Sequence, residues 1–165
     1  MAESPNTLLE NIKNWMREKN EFQISQLSNP KAHFSIQISP YKQNVVPPIT
    51  IAFPKGTDSL IFGWNWLLEV MDTKAYSSIT DNRRKENIIM TLQNESRKRN
   101  LILQGSPDMY NLAQLAVHRL IPSIELTKDK FRNIVMDLIY LWALAMLQFE
   151  KQGMNKAGFN PSDYV

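Results

Sequence analysis

The sequence predicts a mixed α+β fold, an antiparallel sheet with helices in the order α-β-β-β-β-α-β-β-α. Three observations carry this. Apolar residues recur at helical spacing in three stretches that each open on a capping residue, the period falls to two between them, and Pro, Gly or Asn bounds most of the period-two stretches. With no cysteine among 165 residues there is no disulfide or cysteine–zinc framework, so apolar burial must hold the fold. The length, and the absence of a Gly- or Pro-rich linker, predict one domain over residues 1–153 followed by a loose tail at 154–165.

The first helix begins where Ser4 can accept a backbone N–H and Pro5 needs none to donate. Leu8, Ile12, Trp15 and Met16 follow on one side, with Glu10, Lys13, Arg17 and Glu18 largely on the wet side, and the helix is expected to end near Asn20. Phe22 and Ile24 start a strand. His33 to Ser39 continues with Phe34, Ile36 and Ile38 on one face, and Asn29-Pro30-Lys31 has the chemistry of the turn between them. Ile49, Ile51 and Phe53 alternate in a third strand after Pro47-Pro48, and Pro54-Lys55-Gly56 closes it. Ser59 to Leu68 reads as a fourth strand, with Trp64 and Trp66 projecting to the same face.

Thr80 or Asp81 caps the second helix, which runs to about Arg99 with Ile88, Ile89 and Leu92 inward. Leu101-Ile102-Leu103, stopped by Gly105-Ser106-Pro107, and Leu115 to Ile121, stopped by Pro122, read as strands. Thr127 caps the last helix and Gly153 ends it.

That order of elements resembles the type III secretion chaperone-like fold, a small α+β architecture with helices against a strongly bent antiparallel sheet. More narrowly, Leu115 through Leu126-Thr127-Lys128-Asp129-Lys130-Phe131 into the long apolar helix resembles an uncharacterised archaeal family with that fold. The resemblance implies a homodimer that binds another protein and lacks catalysis, and it supplies no catalytic residues.

The last helix carries its own signal. Phe131, Ile134, Val135, Leu138, Leu141, Trp142, Ala145 and Phe149 form an ordinary core face, yet the opposite side holds Met136, Tyr140, Ala143, Leu144 and Leu147. Either the helix is sandwiched within its own domain, or that second side is a protein interface. The reading adopted is a homodimer through it.

Charge narrows the remaining classes. Lys and Arg number 19 against 16 acidic residues, a formal +3, far short of a protein that coats nucleic acid. Locally, Arg83-Arg84-Lys85 and Arg97-Lys98-Arg99 lie fourteen residues apart, which places two cationic trios on a shared helical face about 21 Å apart and makes them possible phosphate contacts. His33 and His118 have no partner at metal-ligand spacing. No glycine group cradles phosphate, and no serine sits in a nucleophile elbow. Asp58, Glu69 and Asp72 lie close in sequence but need a geometry that sequence does not show before they could do acid–base work. Trp64 and Trp66 read as core in preference to a stacking platform, and Asp163-Tyr164-Val165 as a frayed end.

The N-terminus is polar and lacks a basic-then-apolar leader, and the apolar run Ile134 to Leu147 is too short to span a bilayer and contains Asp137. The expectation is a cytoplasmic, non-enzymatic protein-binding or chaperone-like module, homodimeric, with no membrane, metal or cofactor. The alternative is a nucleic-acid-binding accessory protein that uses the basic face of helix 80–99, and a third class is an enzyme with a concealed carboxylate site.

Overall fold

In the computed structural model the described residues are 3–19, 21–40, 47–68, 76, 79 and 81–150. They form α1 (Pro5–Arg17), β1 (Phe22–Gln26), β2 (Ala32–Pro40), β3 (Ile49–Pro54), β4 (Ser59–Leu67), α2 (Asn82–Lys98), β5 (Ile102–Pro107), β6 (Leu112–Pro122), a 3₁₀ turn (Ser123–Glu125) and α3 (Lys128–Glu150). The six strands make one antiparallel sheet in the order β1-β2-β3-β4-β6-β5. The expected succession of helices and strands is what the chain adopts. The expected stop at Gly153 and the tail at 154–165 lie outside the described residues.

Two compact units can be distinguished, one comprising residues 1–64 and 118–136 and the other residues 65–117 and 137–165. The strands β4 and β6 and the helix α3 contribute residues to both.

In the first unit, Ser4 caps α1 by accepting the Thr7 N–H at 3.2 Å, and Leu8, Ile12 and Met16 are buried. The sheet face they meet is built by alternation. Ile24 stands opposite Ile38, Ile36 opposite Ile51, and Ile51 opposite Phe62, so one slip of register would turn this apolar set to solvent. Asn29 turns the first hairpin by accepting the Lys31 N–H on its side-chain oxygen at 3.1 Å. The N-terminal part of α3 closes this core. The Phe131 ring lies 5.6 Å from that of Trp15 and 5.9 Å from that of Phe62, and Thr127 Oγ1 accepts the Lys130 N–H at 3.3 Å as an N-cap should.

In the second unit, Trp66 meets Trp142 edge-on at 4.8 Å and Phe149 at 5.5 Å. Ile88, Ile89 and Leu92 of α2 and Leu112, Leu115 and Val117 of β6 are buried. Asp81 caps α2 by accepting the Arg83 N–H at 3.0 Å; Thr80, the other expected cap, lies outside the described residues. Two strand limits differ from the sequence reading. The strand β5 runs through Gly105-Ser106 to Pro107 and β6 starts at Leu112, because the chain doubles back tightly there. A Cβ at Gly105 would sit 2.5 Å from Leu112 Cδ2, so this glycine permits a close approach within the hairpin and does not end the strand.

Candidate functional site

Along α3 the two sides separate. Its core-facing residues, Phe131 and Leu138 among them, are buried. Met136 on the other side is 50% exposed and Tyr140 37%, Leu144 and Leu147 are half-buried, and Ala143 is buried. Ala143 therefore drops out of the expected apolar surface, while the other four residues keep apolar area at the helix surface.

In the first unit, Met136 also lines a small cavity of about 90 Å³ with Trp15, Met16, Phe22, Phe131 and Val135. Its walls are apolar and Lys19, Glu21 and Arg132 border it. Small-molecule pockets usually run to several hundred Å³. A cavity this size accepts one side chain. Beside it, Glu18 near the end of α1 accepts from Lys128 at 2.5 Å and from Arg132 at 3.0 Å, and the Lys128 hydrogen bond above all holds its carboxyl below the usual carboxylate range.

The six cations expected on α2 divide. Arg83, Arg84, Arg97 and Lys98 are exposed, and Met90, 57% exposed, lies between the two groups. Lys98 is paired with Glu95 at 2.6 Å. Lys85 is buried with its ammonium 4.9 Å from the centre of the Tyr76 ring. Arg99 is engaged three ways, with Glu95 at 2.6 Å, with Asp137 at 3.5 Å, and with the Tyr140 ring at 3.9 Å. Lys98 first and Arg99 next hold the Glu95 carboxyl low. Two of the expected phosphate contacts are thus structural. The heptad spacing that pairs the trios also turns Lys85 and Arg99 inward together.

The Tyr76 hydroxyl donates to the Met109 carbonyl at 2.5 Å, and burial pushes its pKa up to about 12, so it acts as a fixed donor. Asp108, exposed in its turn, accepts from Asn111 and from the Tyr110 N–H, with the Asn111 side chain contributing most to its lowered pKa. His33 is exposed with its ring 5.2 Å from that of Phe53, and His118 is half-buried. Among the described residues no group of three His, Cys, Asp or Glu could hold a metal ion. Asp58 accepts from Ser59, while Glu69, Asp72 and the C-terminal Asp163-Tyr164-Val165 lie outside the described residues. Trp64 is buried in the core, while Trp66 is half-buried and packs on Trp142 and Phe149 of α3.

A family model described as "Uncharacterized conserved protein (DUF2299)" matches residues 8–149, which takes in every strand and nearly all of α1 and α3. The chain belongs to the DUF2299 family. Its fold is shared with a solved structure titled "Crystal structure of an uncharacterized protein from Methanothermobacter thermautotrophicus", an archaeal chain that matches with a TM-score of 0.73 at 16% identity. The match covers 88% of this DUF2299 chain and 98% of the archaeal one. No curated protein matches it. No helix among its described residues is long and apolar enough to cross a membrane.

Sequence reasoning missed the Trp15–Phe22–Met136 cavity and the Arg99 contacts with Asp137 and Tyr140. Apolar residues ending α1 and opening β1 were visible, but their meeting with α3 is a non-local contact that periodicity does not encode.

Proposed function

We propose that this DUF2299 protein is a non-enzymatic, protein-binding module of chaperone-like character, cytoplasmic and working as a homodimer, with α3 presenting the partner surface. One observation carries it. A helix whose other side is built into the core keeps Met136 of the first unit at the surface, where it lines a cavity sized for one apolar side chain, and keeps Tyr140 of the second unit exposed. Exposed apolar side chains grouped around an anchor pocket are the usual form of a protein-binding surface. The α-β-β-β-β-α-β-β-α order supports the likeness to type III secretion chaperones, whose architecture it resembles.

The test is suppression of the aggregation of reduced insulin by the full chain. Wild type suppresses it near stoichiometry, and Met136→Glu, a change at a half-exposed position, weakens suppression several-fold without altering the thermal midpoint. Wild type with no effect on aggregation overturns the reading.

The four exposed cations of α2 support a second reading, an accessory protein that contacts nucleic-acid phosphates. Arg83→Glu with Arg97→Glu then abolishes binding to a DNA duplex at low salt and spares insulin protection. A wild type that does not bind at low salt removes this reading.

A further inference from the structure

The sheet ends on β1, and the register shows which of its backbone groups point outward. The Leu27 N–H donates to the Ser35 carbonyl at 2.8 Å, while Ser25 stands opposite Gln37 and Gln23 opposite Ser39. Hydrogen-bonded and non-hydrogen-bonded pairs alternate along an antiparallel ladder, so Gln23, Ser25 and Leu27 direct their N–H and C=O groups at β2. Phe22, Ile24 and Gln26 direct theirs away from it. Pro40, which has no N–H to offer, faces Phe22, as this alternation allows. Among the described residues no strand lies beyond β1.

Natural edges of this kind are guarded by lysine, proline, a bulge or an inward charge. The sequence of β1, Phe22-Gln23-Ile24-Ser25-Gln26, contains no charge and no proline. Its Phe22 and Ile24 side chains are half-buried on the helix-covered face, where the Trp15–Phe131–Met136 cavity opens. A strand added to this edge would send every second side chain to that face.

We propose that β1 is the seam of a homodimer, two copies of the strand pairing antiparallel with Phe22 of one copy opposite Ile24 of the other. The inference rests on the homodimer reading above but moves the joint between copies from the outer side of α3, where the sequence placed it, to β1; the outer side of α3 is then left for the client. A second copy is the occupant the chemistry selects. Two-fold pairing sets a strand against its own sequence, so a charge near the axis would meet its like, and an uncharged strand is what self-pairing requires. In this register each Phe22–Ile24 pair exchanges both backbone hydrogen bonds and joins an aromatic to a β-branched side chain, a favourable cross-strand combination. A standard interface buries about 800 Å² per partner, more than a five-residue strand supplies. Half-exposed Trp15 adds apolar area at its end. The opposite terminal strand, β5, contains Gly105 and ends in Pro107, both poor for added pairing.

The discriminating variant is Ile24→Pro. It deletes an N–H that points away from β2 and leaves the β1–β2 ladder whole, whereas proline at position 23 or 25 would break that ladder. Light scattering on the full chain at tens of micromolar is expected to give a dimer for wild type and a monomer for Ile24→Pro, with unchanged circular dichroism. Amide hydrogen exchange on wild type keeps the conclusion testable should the variant misfold. The Phe22 and Ile24 amides are protected in the dimer and exchange at least tenfold faster on dilution, while Gln23 and Ser25 stay protected throughout. A dimer that persists in folded Ile24→Pro, or outward amides that exchange fast in the wild-type dimer, overturns the seam and leaves the homodimer reading standing. A monomeric wild type overturns both. Outward amides protected in a monomer also overturn the seam, since something else then covers the edge.

Discussion

Replacing Phe131 by alanine tests the packing of the first unit most directly. The ring is 2% exposed and is held between Trp15 at 5.6 Å and Phe62 at 5.9 Å. Truncating a buried phenylalanine costs about 3–5 kcal/mol through lost transfer and the cavity left behind. Two aromatic contacts disappear with it, each contributing about 0.5–1.5 kcal/mol beyond its area, so the upper half of that range is expected. With a urea slope of about 2 kcal/mol per molar, a loss of about 4 kcal/mol moves the midpoint down by about 2 M. Tryptophan emission reports the transition. Met136→Ala, five residues on and 50% exposed, is the control, and its midpoint should stay within about 0.5 kcal/mol of wild type. A Phe131→Ala midpoint less than about 0.5 M below wild type, at unchanged slope, would refute the claim that this ring is the keystone of α1, β4 and α3.

Two further predictions concern charge and backbone. Glu18 and Glu95 are held below the usual carboxylate value near 4.5, so the unfolded chain binds more protons than the folded one between the two values. Their stabilisation is complete above about pH 4.5 and is lost as pH falls through the lowered folded values. Glu18→Gln and Glu95→Gln should therefore be weaker than wild type at pH 7, and the gap should close as pH falls below the lowered folded values; parallel acid limbs in urea midpoints would contradict this. Gly105→Ala forces a Cβ to within 2.5 Å of Leu112 Cδ2 and 2.7 Å of Met109 Sδ, and should cost about 1–3 kcal/mol by overpacking. An unchanged thermal midpoint would show that the hairpin yields freely.

The parts of this structure legible in the sequence are those encoded locally. Ser4-Pro5 announces α1 because cap and first-turn chemistry involve adjacent residues, and Phe34, Ile36 and Ile38 announce a half-buried strand because alternation is a property of the strand alone. Gly105-Ser106-Pro107 misleads because the same residues punctuate turns and permit close approach within a hairpin. The candidate site was legible by half. Helical spacing brings Met136, Tyr140, Leu144 and Leu147 to one side, and Met136 and Tyr140 are exposed, but nothing local marks Ala143 as buried. Similarly, the two cationic trios are plain in the chain, while the roles of Lys85 and Arg99 depend on Tyr76 and Tyr140, which come from elsewhere. Strand order decides that β1 is an edge, and strand order is non-local.

The first unit joins two stretches far apart in the polypeptide, 1–64 and 118–136, and the hydrogen bond from Arg132 to Glu18 spans 114 residues. On the ribosome, α1 and the first four strands emerge long before Phe131, so Trp15 and Phe62 wait with their apolar faces open while α2, β5 and β6 are still being made. Closing so distant a contact is slow compared with local folding. Until α3 arrives, those faces are the transiently exposed apolar surface that favours aggregation.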